Sequence, residues 1–133
     1  MKISFKLLSA TLIGTFLIFT GCSEPDAEES YNAGLPPSAK AAATQLDSAF
    51  KDVPGAESKQ HSAALAGAMR QKNYEDALKS LGALRSIEVQ NINQVMAVEN
   101  ANRRLQADIL QAMEAGDPKA KRAWERMKRA GRN

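Results

Sequence analysis

Few side chains in this sequence can carry chemistry. There is one cysteine, Cys22, and one histidine, His61. They cannot supply a His/Cys metal centre, a zinc-finger grid, or a Cys-His pair with both members free for catalysis. No nucleophile or orienting carboxylate stands near His61 in the chain, and it reads as a half-buried histidine on a helix. Met69, Met96, Met113 and Met127 could suggest a soft-metal site, but they fall on expected core stripes, where methionine fills gaps. Acidic pairs such as Glu75-Asp76 suit a helix start, not the opposed carboxylates of a glycosidase. The sequence has no glycine-rich phosphate cradle and no serine-centred elbow. The expectation is therefore a non-enzymatic protein with no catalytic residue, no metal and no cofactor. One cluster has functional character: Lys119, Lys121, Arg122, Arg126, Lys128 and Arg129, with Glu125 as the only acid among them.

The elements that must hold this cluster belong to a small chain. Its 133 residues are 25% charged and 44% apolar, which suits one domain and leaves no room for a second. With 5% aromatics, five prolines and eight glycines, the composition is that of a small alanine-rich protein; a disulfide scaffold and a collagen-like chain are excluded.

Residues 1–21 have the layout of an export signal. Lys2 and Lys6 flank an uncharged, mostly apolar run from Leu7 to Phe19. That run falls short of the roughly 20 residues a transmembrane helix needs. It ends at Phe19-Thr20-Gly21-Cys22, which resembles the lipobox of bacterial lipoproteins, with Phe19 standing where an aliphatic residue is usual. The resemblance implies that Cys22 becomes the acylated N-terminus, which would also account for an otherwise partnerless thiol in an exported chain. In lipoproteins sorted within Gram-negative bacteria, a serine such as Ser23 after the cysteine implies the outer membrane, facing the periplasm. Residues 22–36 then read as a disordered acidic tether carrying Glu24, Asp26, Glu28 and Glu29 and no basic residue.

Residues 37–133 should fold as an all-α bundle of four to five helices, because apolar residues recur at three and four and no stretch alternates long enough for a strand. The first helix is expected over 38–52, with Ser38 as cap and Ala42, Leu46, Phe50 and Val53 on one stripe. The second, over 56–71, carries His61, Ala64, Leu65, Ala68 and Met69 on one side. Asn73 caps a third helix with Tyr74, Ala77, Leu78, Leu81 and Leu84 inward. The fourth and longest, 87–115, carries Ile92, Val95, Val98, Leu105, Ile109 and Met113 on a broad apolar arc, into which Glu99, Asn102 and Gln106 intrude. After Gly116, Asp117-Pro118 opens a basic C-terminal helix over 117–130, with Ala120, Ala123, Trp124 and Met127 buried and Trp124 as its core reporter. The segment Lys72-Asn73-Tyr74-Glu75-Asp76-Ala77-Leu78 resembles the Gly-Asp/Asn-Tyr-x-x-Ala-Leu turn of a tetratricopeptide repeat, which implies a helical hairpin of similar geometry. No second copy follows at a 34-residue period, so a solenoid is not expected.

Charge by segment is −4 for residues 22–36, zero for 37–116 (nine basic, nine acidic) and +5 for 117–133 (seven basic, two acidic). The net +1 of the chain without its signal removes any general argument for nucleic acid, and the aromatics that stack single strands are absent. Two functions remain in view: an accessory module that is lipid-anchored in the cell envelope and binds another envelope protein, and a structural lipoprotein whose basic helix meets anionic lipid, lipopolysaccharide or wall polymer. A basic patch continuous with Arg103 and Arg104 would favour the second. A groove lined by Tyr74, leucine and methionine would favour the first. The domain by itself is expected to be monomeric.

Overall fold

The structure, a computed structural model, describes residues 34–87 and 91–131; the expected signal segment, Cys22 and the tether as far as residue 33 lie outside the described residues. Among the described residues there are five helices and no strand: α1 (Ala39–Phe50), α2 (Ala56–Arg70), α3 (Tyr74–Arg85), α4 (Ile92–Glu114) and α5 (Pro118–Ala130). The fold is all-α. Pro36, placed by the sequence in the tether, is already buried.

Local chemistry sets the helix ends. Ser38 Oγ accepts from the Ala41 N–H at 3.1 Å, Asn73 Oδ1 from Asp76, and Asn91 Oδ1 from Gln94 at 3.0 Å, each satisfying a first-turn donor that has no partner in its helix. Two helices end in the same paired bond pattern. Gly116 (φ +87°) donates to Met113 and Asp117 donates to Ala112, so that α4 stops and the chain turns at once into α5. After α2, Lys72 donates to Met69 and Asn73 to Ala68, with Lys72 in the left-handed region at φ +54°, where glycine is the usual occupant.

The start of α1, the α2–α3 turn and the α4–α5 turn meet around one cleft, so α1, α3 and α5 leave that end of the bundle and α2 and α4 arrive at it. α1 packs on α2 and α4, α3 on α2 and α4, and α5 lies against α3 and α4. Leu46, Leu65, Leu84, Leu105 and Ile109 are the largest fully buried side chains, and Ala42, Ala43, Ala66, Ala77, Ala101, Ala120 and Ala123 are as completely enclosed. Alanine at so many contacts lets the helix axes approach closely, so the core rests on proximity as much as on large side chains.

That close approach overturns parts of the expected pattern. On α2 the buried set is Ser58, Ser62, Leu65, Ala66, Ala68 and Met69, while Ala64 is exposed; His61 is half-buried, as expected. Ser62 sits comfortably inside because its hydroxyl donates to the Lys59 carbonyl at 3.0 Å. The long helix begins at Ile92, not at Ile87, and turns Gln94, Ala97, Val98, Ala101, Asn102, Leu105 and Ile109 inward. Ile92, Val95 and Met96, expected on core stripes, are 69%, 46% and 53% exposed. Asn102 intrudes into the apolar arc as expected, and it is satisfied there by a hydrogen bond from Gln106 Nε2 at 3.0 Å. Trp124 is only partly buried, at the margin of the core and not at its centre.

Candidate functional site

The basic helix α5 is positioned by its ends and its small residues. Asp117 caps it, accepting from the Lys119 N–H at 2.8 Å, and Pro118 at the first position needs no such bond. Ala120 and Ala123, fully buried, seat the helix on α3 and α4, with Trp124 and Met127 partly buried beside them. One turn of α5 advances about 100° per residue, so this buried face leaves Lys119, Lys121, Arg122, Arg126, Lys128 and Arg129 on the outer half, all exposed.

Two of these six cations have acidic partners. Lys128 Nζ lies 2.7 Å from Glu125 Oε1. The hydrogen bond from Lys128 is the first of several influences that hold the Glu125 carboxyl below its ordinary value, joined by the charges of Lys128, Arg129 and Lys121 against an opposing effect of burial. Arg122 Nε lies 3.4 Å from Glu75 Oε1 and ties α5 to the first turn of α3. The outer arc is thus cationic but interrupted by acids.

Arg104 does not extend it. The Arg104 guanidinium is turned to the neighbouring Asp108 carboxylate in a half-buried ion pair and lines the cleft at the chain-entry end with Lys40, Arg70, Lys72 and Tyr74. Tyr74 is held protonated there: burial raises its hydroxyl pKa first, and the Asp108 and Asp117 charges raise it further.

Between α3 and the C-terminal half of α5 runs a groove of about 490 Å³. Leu78, Leu81, Met127 and Ala130 give it an apolar surface, Asn102 and Gln106 reach it from α4, and Lys79, Arg85 and Arg126 line it too. Arg85 is also 3.2 Å from Glu99. A more open depression of about 860 Å³, lined by Glu75, Lys121, Arg122, Glu125, Arg126 and Arg129, shares Arg126 with the groove. A groove lined by both apolar side chains and cations can exclude water over the first and pair carboxylates with the second.

Of the expected contact residues, Arg126 alone belongs to both clefts, and Lys119 and Lys128 line neither of them. Leu78, Lys79, Arg85 and Met127 escaped the sequence reading as a site. Leu78 and Met127 were assigned to core stripes, and the only available hint was that Leu78 falls at the edge of the apolar arc of α3. Tyr74, expected beside leucine and methionine, lines the other cleft instead. Every buried side-chain nitrogen or oxygen among the described residues has a hydrogen-bond partner. No group of three or more His, Cys, Asp or Glu placed to hold a metal occurs among them, and none of their helices is long and apolar enough to cross a membrane.

Fold and site together define an all-α bundle carrying a cation-lined interhelical groove. Comparison with protein-family models, with curated proteins and with solved structures gives no match.

Proposed function

We propose that this protein is a lipid-anchored accessory module of a bacterial cell envelope, held to the outer membrane on its periplasmic side through acylated Cys22, and that it binds another envelope protein without catalysing a reaction. The observation that carries the binding half of this reading is the groove between α3 and α5, which Leu78, Leu81 and Met127 line together with Lys79, Arg85 and Arg126. The anchoring half rests on the lipobox-like Phe19-Thr20-Gly21-Cys22 and the acidic stretch that follows it. More than one acyl chain is required for stable anchorage, because a single chain binds a membrane only marginally.

A photo-crosslinking residue at Leu78 or Met127 in the membrane-anchored protein tests the groove. A discrete protein adduct is expected from these two positions, weakened by Arg85→Glu or Arg126→Glu and absent from the distant exposed position Lys59. Equal labelling from Lys59, or adducts to lipid only, refutes the groove as the binding site.

The second reading, direct contact of α5 with an anionic lipid or polymer, is favoured by one observation: all six of its cations are exposed on one side of an amphipathic helix. Binding to acidic vesicles that falls steeply between low and physiological salt, and that disappears on replacing Arg122, Arg126 and Arg129 with glutamine, would establish it.

A further inference from the structure

The outward face of α4 is unusual for a helix in a small bundle. Ile92, Val95, Met96 and Leu110 are the exposed large apolar residues of the described chain, and all four stand on this one helix. Its buried side is occupied by Gln94, Ala97, Val98, Ala101, Asn102, Leu105 and Ile109. Opposite that side, Ile92, Met96, Glu99, Arg103, Gln106 and Leu110 follow one another at intervals of 4, 3, 4, 3 and 4 residues. This is the spacing by which one helix presents a continuous seam to another.

The residue types along the seam are complementary to themselves in reverse. About a twofold axis at Ala101, Ile92 of one copy falls opposite Leu110 of the other, Met96 opposite Gln106, and Glu99 opposite Arg103; beside the seam, Val95 falls opposite Ala107. Apolar residues meet at both ends and opposite charges meet twice at the centre. A parallel pairing would instead set Glu99 against Glu99 and Arg103 against Arg103. We propose that the protein forms an isologous dimer through antiparallel packing of α4 against α4 of a second copy. Such a dimer departs from the monomer expected from the sequence.

The central charges already have partners within the chain, Glu99 with Arg85 at 3.2 Å and Arg103 within its own surroundings. In the dimer Arg103 of the second copy joins the exposed Arg85–Glu99 pair, so Glu99 lies between two guanidinium groups and no charge is left unpaired on closing the interface. The contact is one helix wide and about 27 Å long, which places it among small interfaces and makes the association concentration-dependent.

Sedimentation of the full chain in density-matched detergent tests the dimer, with circular dichroism as the control for folding. The wild type should self-associate reversibly. Glu99→Arg sets Arg against Arg across the axis, and Arg103→Glu sets Glu against Glu; each alone should weaken association at least about tenfold. An equimolar mixture of the two restores both opposite pairs in a heterodimer and should recover association, as should the double swap in one chain. Leu110→Glu, which touches neither ion pair, should also yield monomer. A wild type that stays monomeric up to about 100 μM, or single swaps that associate as well as wild type, overturns the proposal. So does a mixture of folded single swaps that fails to associate.

Discussion

Enlarging Ala123 is the most direct way to ask how α5 is held. Ala123 and Ala120 are both fully enclosed between α5 and its neighbours, and their lack of bulk sets the distance at which α5 lies on α3 and α4. Ala123→Leu adds three carbon atoms to a site with no exposed surface. The new atoms must displace Trp124 and Met127 or push the helix outward, at a cost of about 1–3 kcal/mol for overpacking. For a domain of this size that corresponds to a fall of about 10 °C in Tm, since 1 kcal/mol moves the midpoint by about 4–8 °C. The chain has a single tryptophan, and it lies in α5 next to the substituted residue. Its fluorescence therefore reports the docking of this helix, while far-ultraviolet circular dichroism reports all five. Ala123→Leu should shift Trp124 emission to the red and lower Tm, and Ala130→Leu, at an exposed position of the same helix, should do neither. If Ala123→Leu leaves both emission and midpoint unchanged, α5 is not seated through its alanine face, and the groove it forms with α3 loses its basis.

Further expectations are simple to check. Lys72→Gly should stabilise the domain by about 1 kcal/mol in denaturant unfolding, because Lys72 holds a left-handed backbone that glycine adopts without steric cost. Asn91→Ala should destabilise it by about 1 kcal/mol, through loss of the 3.0 Å bond to the Gln94 N–H at the start of α4. Because the Tyr74 hydroxyl has its folded pKa raised above 10.0, its contribution to stability is complete below that pH and is lost as pH rises through the folded value. Melting curves from pH 8 upward should accordingly fall more steeply for the wild type above about pH 10 than for Tyr74→Phe. Cys22→Ala should leave the signal attached and the protein unacylated; intact-mass measurement that still shows loss of residues 1–21 would refute the lipobox reading.

The local elements are legible in the sequence, because their signals act over a few residues. Ser38, Asn73 and Asp117 stand at helix starts, Gly116 supplies the left-handed stop before α5, and the run Tyr74, Ala77, Leu81, Leu84 marks the buried face of α3 at 3.6-residue spacing. The terminal cations were visible for the same reason, as a run of residue types on one short helix. Which way each helix turned in the bundle was not legible. Hydrophobicity ranks Ile92, Val95 and Met96 above Gln94, Ala97 and Ala101, yet the tertiary structure buries the second set: close helix packing selects the small Ala97 and Ala101, and Gln94 is tolerated inside because its polar atoms are partnered. The groove likewise exists only because the α4–α5 turn lays Met127 and Arg126 beside Leu78 and Arg85, residues more than 40 positions apart. Read without the fold, the chain shows that there are helices, where four of the five start, and that the last is basic, while the start of α4 at Ile92 is missed. Which apolar residues stay outside, Ile92, Val95, Met96 and Leu110 among them, is settled only by the tertiary packing, because burial depends on what each face meets and not on how apolar it is.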